Sequence, residues 1–237
     1  MEVTNMGYVT NYFVELHPGE GLASIILGKK GELIDFLGDE IVDDPAQSRF
    51  LRDDPHFTLM CARTGDMDSF RASLRALGGK FERVNYEITG AEDILTPGKL
   101  VEVRTVVREQ DRQNFKDLHL AVMEASRHFN TAGVYERFRT GFSGEAQENI
   151  DFCGFPGARG LYKPHASPGR VHKEIRPSID HIVGRASFDP QGKYRSGNLI
   201  VWGLPFESEE DLIRYAPKDK IDLTATPRHT ETIKLRD

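Results

Sequence analysis

The sequence predicts an α+β protein made of two packed halves, and three observations predict it. Runs rich in β-forming residues recur at 7–16, 56–62, 84–88, 100–107 and 197–204. Two amphipathic helical patterns fall between them, one after residue 66 and one from about residue 108. No Pro/Gly/Ser-rich linker divides the 237 residues and no close internal repeat marks a solenoid. Strand, strand, helix, two strands, helix, strand, final strand is the order of an α+β fold, read here as a single bilobed domain over 1–237.

Taken in order, residues 7–16 (GYVTNYFVEL) form a strand that runs into a turn at His17-Pro18-Gly19. Residues 19–44 carry Gly28, Gly31 and Gly38 and read as a loop with a short helix near 32–37. Gly28-Lys29-Lys30-Gly31 lacks the spacing of a phosphate-binding loop and reads as a solvated turn. Residues 56–62 (HFTLMCA) read as a buried strand whose start is marked by Asp53, Asp54 and Pro55. Asp66 or Asp68 caps the next helix; Phe70, Leu74 and Leu77 form its apolar face and Gly78-Gly79 ends it. Val84, Tyr86 and Ile88 alternate along one strand, and 100–107 (LVEVRTVV) form another. A long helix is expected over 108–129, with Phe115, Leu118, Val122 and Ala125 on one face. Residues 131–161, poorly patterned and rich in glycine, read as an inserted lid or wall rather than a second core. A short helical stretch is expected at 175–184, a strand at 197–204 (GNLIVWGL), and one further strand at the end of the charged tail from 207.

Bulk composition narrows the function. The chain is 38% hydrophobic and 29% charged, an ordinary soluble composition. Its formal charge of −6 disfavours prolonged tracking along a long nucleic acid but allows a small anionic ligand in a local basic pocket. No apolar run is long enough to span a bilayer, and 1–6 (MEVTNM) lack the features of a signal peptide, so cytoplasmic residence is expected. Cys61 and Cys153 form neither a disulfide framework nor a zinc knuckle, and Cys61 is expected as a buried structural thiol.

Of eight histidines, two are followed two places on by a hydroxyl and preceded by proline: Pro55-His56-Phe57-Thr58 and Pro164-His165-Ala166-Ser167. About one His-x-Ser/Thr triplet is expected by chance in a chain of this composition, so the matching prolines are what sharpen the signal. On an extended strand the ring and hydroxyl of each triplet project from one face. Two such pairs facing one another supply an acid, a base and two hydroxyl donors, a set suited to breaking a phosphodiester without a metal. Histidine fits both duties because its unperturbed pKa lies near working pH.

With both triplets on expected strands, the chain resembles the 2H phosphoesterase superfamily, whose mark is a His-x-Ser/Thr motif in each half of a bilobed α+β fold. His56-Phe57-Thr58-Leu59 matches the first motif in full, while the second has Pro168 where an apolar strand residue is usual. Proline favours a strand end or an edge. The resemblance implies two antiparallel sheets flanking a central cleft, with helices outside, and His56, Thr58, His165 and Ser167 as catalytic residues. It implies a substrate with a phosphodiester beside a ribose hydroxyl or within a ring: 2′-5′-linked, 2′,3′-cyclic or a cyclic oligonucleotide. The partner is then a nucleotide or short oligonucleotide, and no cofactor or metal is required. Tyr12, Tyr162, Lys163, Arg170, Tyr194 and Trp202 are substrate-binding candidates; for Tyr12 and Trp202 the alternative is a place in the core.

Three other readings stand beside this one. A metal site would recruit His165, His172 and His181, whose spacings of seven and nine residues do not form a compact ligand motif. A nucleotide-binding module would keep the fold without turnover. An interaction protein with accidental motifs would use the glycine-rich insertion as its surface.

Overall fold

A computed structural model describes residues 9–37, 55–96, 100–129, 140–172, 188–206 and 229–237. They form two antiparallel four-stranded sheets. The first has the order β2-β1-β7-β8, with β1 Val9–Leu16, β2 Phe57–Thr64, β7 Asn198–Phe206 and β8 His229–Lys234. The second has the order β5-β4-β3-β6, with β3 Val84–Thr96, β4 Leu100–Val107, β5 Gly169–His172 and β6 Gly192–Ser196. The helices are α1 Glu20–Leu37, α2 Met67–Gly78, α3 Arg112–Ser126 and α4 Glu145–Cys153.

Alternation along β1 buries Tyr12, Val14 and Leu16 completely, and Phe57 and Leu59 join them from β2. Phe70 of α2 packs 4.1 Å from Tyr12 and Phe115 of α3 packs 4.8 Å from Phe57, ring centre to ring centre. Tyr86 of β3 meets both Phe57, at 5.4 Å, and Phe115, at 5.2 Å, so one apolar cluster serves both sheets. Asp66 caps α2 by accepting from the Ser69 N–H at 2.9 Å. Gly78 lets β8 pass close: a Cβ there would collide with the side chain of Ile233.

The structure departs from the sequence reading at four places. The segment expected as a loop with a short helix is one helix, α1, running from Glu20. Leu22, Ile26, Lys30 and Leu33 are buried at helical spacing, while Gly28 and Gly31 face open space. The apolar stripe outweighs the roughly 1 kcal/mol that each glycine costs a helix. The long helix expected over 108–129 is shorter, because Glu109–Asp111 form a separate 3-10 turn before α3. The segment expected as a lid contributes core: α4 lies in it, and Ile150, Cys153 and Ala158 are buried. The second motif, expected on a strand, precedes one: β5 starts at Gly169, directly after Pro168, as the edge of its sheet. Residues 175–184 lie outside the described residues. No helix among the described residues is long and apolar enough to cross a membrane.

Candidate active site

The first motif lies on a bulged strand. The β1–β2 register pairs Val14 with Met60 but Glu15 with Thr58, leaving Leu59 as the extra residue. Bulges re-aim side chains, and this one sets Thr58 opposite Glu15 with His56 beside them. His56 Nε2 is 3.5 Å from Glu15 Oε1, and Glu15 is only 7% exposed. The ring, the hydroxyl and the carboxylate share the sheet face opposite Tyr12, Val14 and Leu16.

The second motif is held by side chains rather than by a strand. Thr105 of β4 donates its N–H to the Ala166 carbonyl at 2.9 Å, and its Oγ1 accepts the Ala166 N–H, also at 2.9 Å. His165 Nδ1 donates to the Lys163 carbonyl at 2.9 Å, which leaves Nε2 with the lone pair in the neutral ring. That Nε2 is 3.8 Å from Glu102 Oε1. Glu102 is 1% exposed, and its other oxygen, Oε2, accepts from Arg104 Nε at 2.9 Å and Nη2 at 2.7 Å. Ser167 Oγ is turned onto its own backbone, donating to the Gly169 carbonyl at 3.1 Å and accepting the Gly169 N–H at 3.2 Å.

A third histidine fastens both segments to α3. His119 is fully buried; its Nδ1 donates to the carbonyl of Leu59, the bulge residue, at 2.7 Å. Its Nε2 accepts the Arg159 N–H at 3.1 Å, and Tyr162 stacks on its ring at 4.1 Å and 4°. Burial pushes its pKa below the usual imidazole range, consistent with a neutral ring that donates from one nitrogen and accepts at the other. Arg159 has a positive φ of 51° and is held there by its Nε bond to Asn149 Oδ1 at 2.6 Å. Leu59 directly follows the first motif and Arg159 precedes the second in the chain, so one imidazole binds backbone near both.

The remaining candidates divide. Tyr12 is a core residue, completely buried against Phe70, which corrects its expected contact with substrate. Tyr162 is corrected likewise: it is 4% exposed, stacked on His119, and burial pushes its phenol pKa far up. Large flat rings filled the core here in preference to lining a cleft. Tyr194 is half-buried, ring against Tyr86 at 5.8 Å, with its hydroxyl donated to the Pro190 carbonyl at 2.8 Å. Lys163 is exposed and serves the site through its carbonyl. Arg170 stands opposite Glu102 on β5, and Trp202 opposite Phe13 on β7. His181 of the metal reading lies outside the described residues, and among those described no three His, Cys, Asp or Glu residues gather to hold a metal.

Glu15, Glu102, Arg104 and His119 escaped the sequence reading. For Glu102 and Arg104 a signal existed: two charges at alternate positions of a largely apolar strand, LVEVRTVV, share one face and need partners. For His119 there was none, since an imidazole on an apolar helix face reads as ordinary core.

No protein-family model matches the chain, and no curated protein matches it. Among solved structures it is similar to Usb1 of Kluyveromyces marxianus, at 11% identity and a TM-score of 0.40, over 82% of this chain and 93% of that one. The same protein with uridine monophosphate gives 12% identity and 0.38 over the same shares. LigT of E. coli, complexed with 3′-AMP, gives 11% identity and 0.43 over 97% of this chain and 99% of that one. Likenesses this low assign the chain neither to a family nor to an activity.

Proposed function

We propose that this chain is a two-histidine phosphodiesterase acting, without a metal, on a nucleotide or short oligonucleotide. The bond cut is 2′-5′-linked, 2′,3′-cyclic or part of a cyclic oligonucleotide. The observation that carries the reading is the matched pair of contacts: His56 with buried Glu15 at 3.5 Å and His165 with buried Glu102 at 3.8 Å. One imidazole removes the proton from water or a ribose 2′-hydroxyl as that oxygen bonds to phosphorus. The other gives its proton to the leaving oxygen as the old P–O bond breaks. A carboxylate beside each ring stabilises the imidazolium form that each adopts in turn, while the Lys163 carbonyl at Nδ1 orients His165. Thr58 and Ser167 hold the non-bridging oxygens, Ser167 by turning its hydroxyl from Gly169 to the phosphate.

The test is incubation with 2′,3′-cyclic mononucleotides, 2′-5′ oligoadenylate and cyclic dinucleotides in EDTA across acid to mildly alkaline pH. Turnover with a bell-shaped profile is expected; strict dependence on added magnesium, manganese or zinc overturns the two-histidine mechanism. A second reading, a nucleotide-binding module without turnover, draws on the engagement of Ser167 with Gly169 and on Pro168. Tight binding with no turnover of any panel member would select it.

A further inference from the structure

The turn after β1 presents another imidazole beside the first motif. His17 N–H donates to the Asn198 carbonyl at 3.0 Å, extending the β1–β7 ladder by one residue. Alternation therefore puts its side chain on the face of Glu15. The β1–β2 register, Glu15 with Thr58 and Leu16 with Phe57, carried one step further sets His17 opposite His56.

The tautomer of the neutral ring is set by its neighbour. His17 Nδ1 accepts the Gly19 N–H at 3.1 Å, and an amide N–H can only donate. The lone pair is on Nδ1 and the proton on Nε2. The turn that imposes this is itself locked. Gly19 has a φ of +82°, a Cβ there would run into the Arg195 carbonyl, and the Pro18 carbonyl accepts the Tyr86 hydroxyl. His165 is the opposite case, with its proton on Nδ1 and its Nε2 left to accept.

We infer that His17 is a substrate-positioning residue whose Nε2–H donates to a phosphate or ribose oxygen next to His56. This rests on the phosphodiesterase reading of the site. With its lone pair already committed to Gly19, His17 takes no proton from substrate and contributes binding, not proton transfer.

Two substitutions separate this role from a merely structural one. Asparagine in His17→Asn can keep an acceptor near Nδ1 for Gly19 but has nothing at the reach of Nε2. Glutamine in His17→Gln reaches the Nε2 position with its amide N–H and gives up the Gly19 bond. The expected result is a KM raised about tenfold in His17→Asn with kcat little changed, restored to within about threefold by His17→Gln. The reverse order, asparagine normal and glutamine impaired, overturns the inference and leaves the phosphodiesterase reading standing. Independently of turnover, nitrogen-15 spectra of the wild-type imidazoles should show His17 protonated at Nε2, with that signal moving as inorganic phosphate is added. A proton on Nδ1, or no movement, overturns the inference even where no substrate is turned over; failure of the whole substrate panel counts against the phosphodiesterase reading alone.

Discussion

The two histidine motifs are built by different means. The first sits at the start of a hydrogen-bonded strand, where alternation and a bulge at Leu59 aim its ring and hydroxyl. The second has no strand of its own; Thr105, Lys163 and Gly169 hold its three residues by individual hydrogen bonds. Both deliver an imidazole to a buried glutamate on a neighbouring strand. A ladder is cooperative and tolerates the loss of one contact, whereas a motif pinned bond by bond loses its geometry with any of them.

The largest effect tests what the motifs share. His56→Ala and His165→Ala should each lower turnover by at least about a hundredfold, because each removes a proton-transfer group. Circular dichroism and thermal unfolding should show both variants folded. Near-normal turnover in either purified variant removes that residue from the mechanism and ends the equivalence of the two motifs.

Next come the carboxylates, where the halves should diverge. Glu15→Gln is expected to cut kcat about tenfold with KM unchanged, since the amide preserves shape but not charge. Glu102→Gln should do the same and also destabilise, by about 3 kcal/mol, because it strips Arg104 of its buried counter-charge. Urea unfolding of both variants reads the difference; equal stability would mean that Arg104 contributes nothing to holding the second motif.

This contrast also governs how much could be read from sequence. The first motif's strand was legible as a short apolar run with Asp53, Asp54 and Pro55 before it, and so were the capped helix after Asp66 and the alternation of Val84, Tyr86 and Ile88. The site's carboxylates were not, because pairing Glu15 with Thr58 depends on a bulge that no local pattern announces. The second motif's setting was not legible: Pro168 was read as limiting a strand that carries the motif, whereas the strand starts after it, and nothing local pointed to Thr105, sixty-one residues away in sequence from the Ala166 it binds. Glycine misled twice, hiding α1 and making α4 and its neighbours look like a lid, since tertiary burial overrode propensity in both.

Smaller effects should follow from the hydroxyls. Thr58→Ala is expected to lower turnover several-fold with stability unchanged, as its strand survives. Ser167→Ala should lower turnover similarly and also cost about 1 kcal/mol, since the Gly169 N–H loses its acceptor. Thr105→Val sharpens the point by removing the acceptor for Ala166 N–H: KM and kcat should both suffer while the first motif's pocket, probed by the His56 ring signals, stays as it was. A variant with wild-type kinetics would show that the ladder bond from Thr105 N–H suffices.

The smallest expected effect concerns the buried imidazole of His119, bonded to Leu59 and Arg159. Burial lowers the folded-state pKa of His119 below the ordinary imidazole value of about 6.5, so the unfolded chain binds a proton there that the folded chain refuses. Its contribution to stability is fully present above about pH 6.5 and is lost as pH falls through the lower folded value, at no more than about 1.4 kcal/mol per pH unit. Protonation also turns Nε2 from an acceptor into a donor facing the Arg159 N–H, and two donors repel. Urea midpoints measured at about pH 7.5 and about pH 5 should therefore fall further in the wild type than in His119→Gln, which cannot titrate. If both lose stability equally on acidification, the pH sensitivity lies in other groups, and His119 holds Leu59 and Arg159 without responding to the proton.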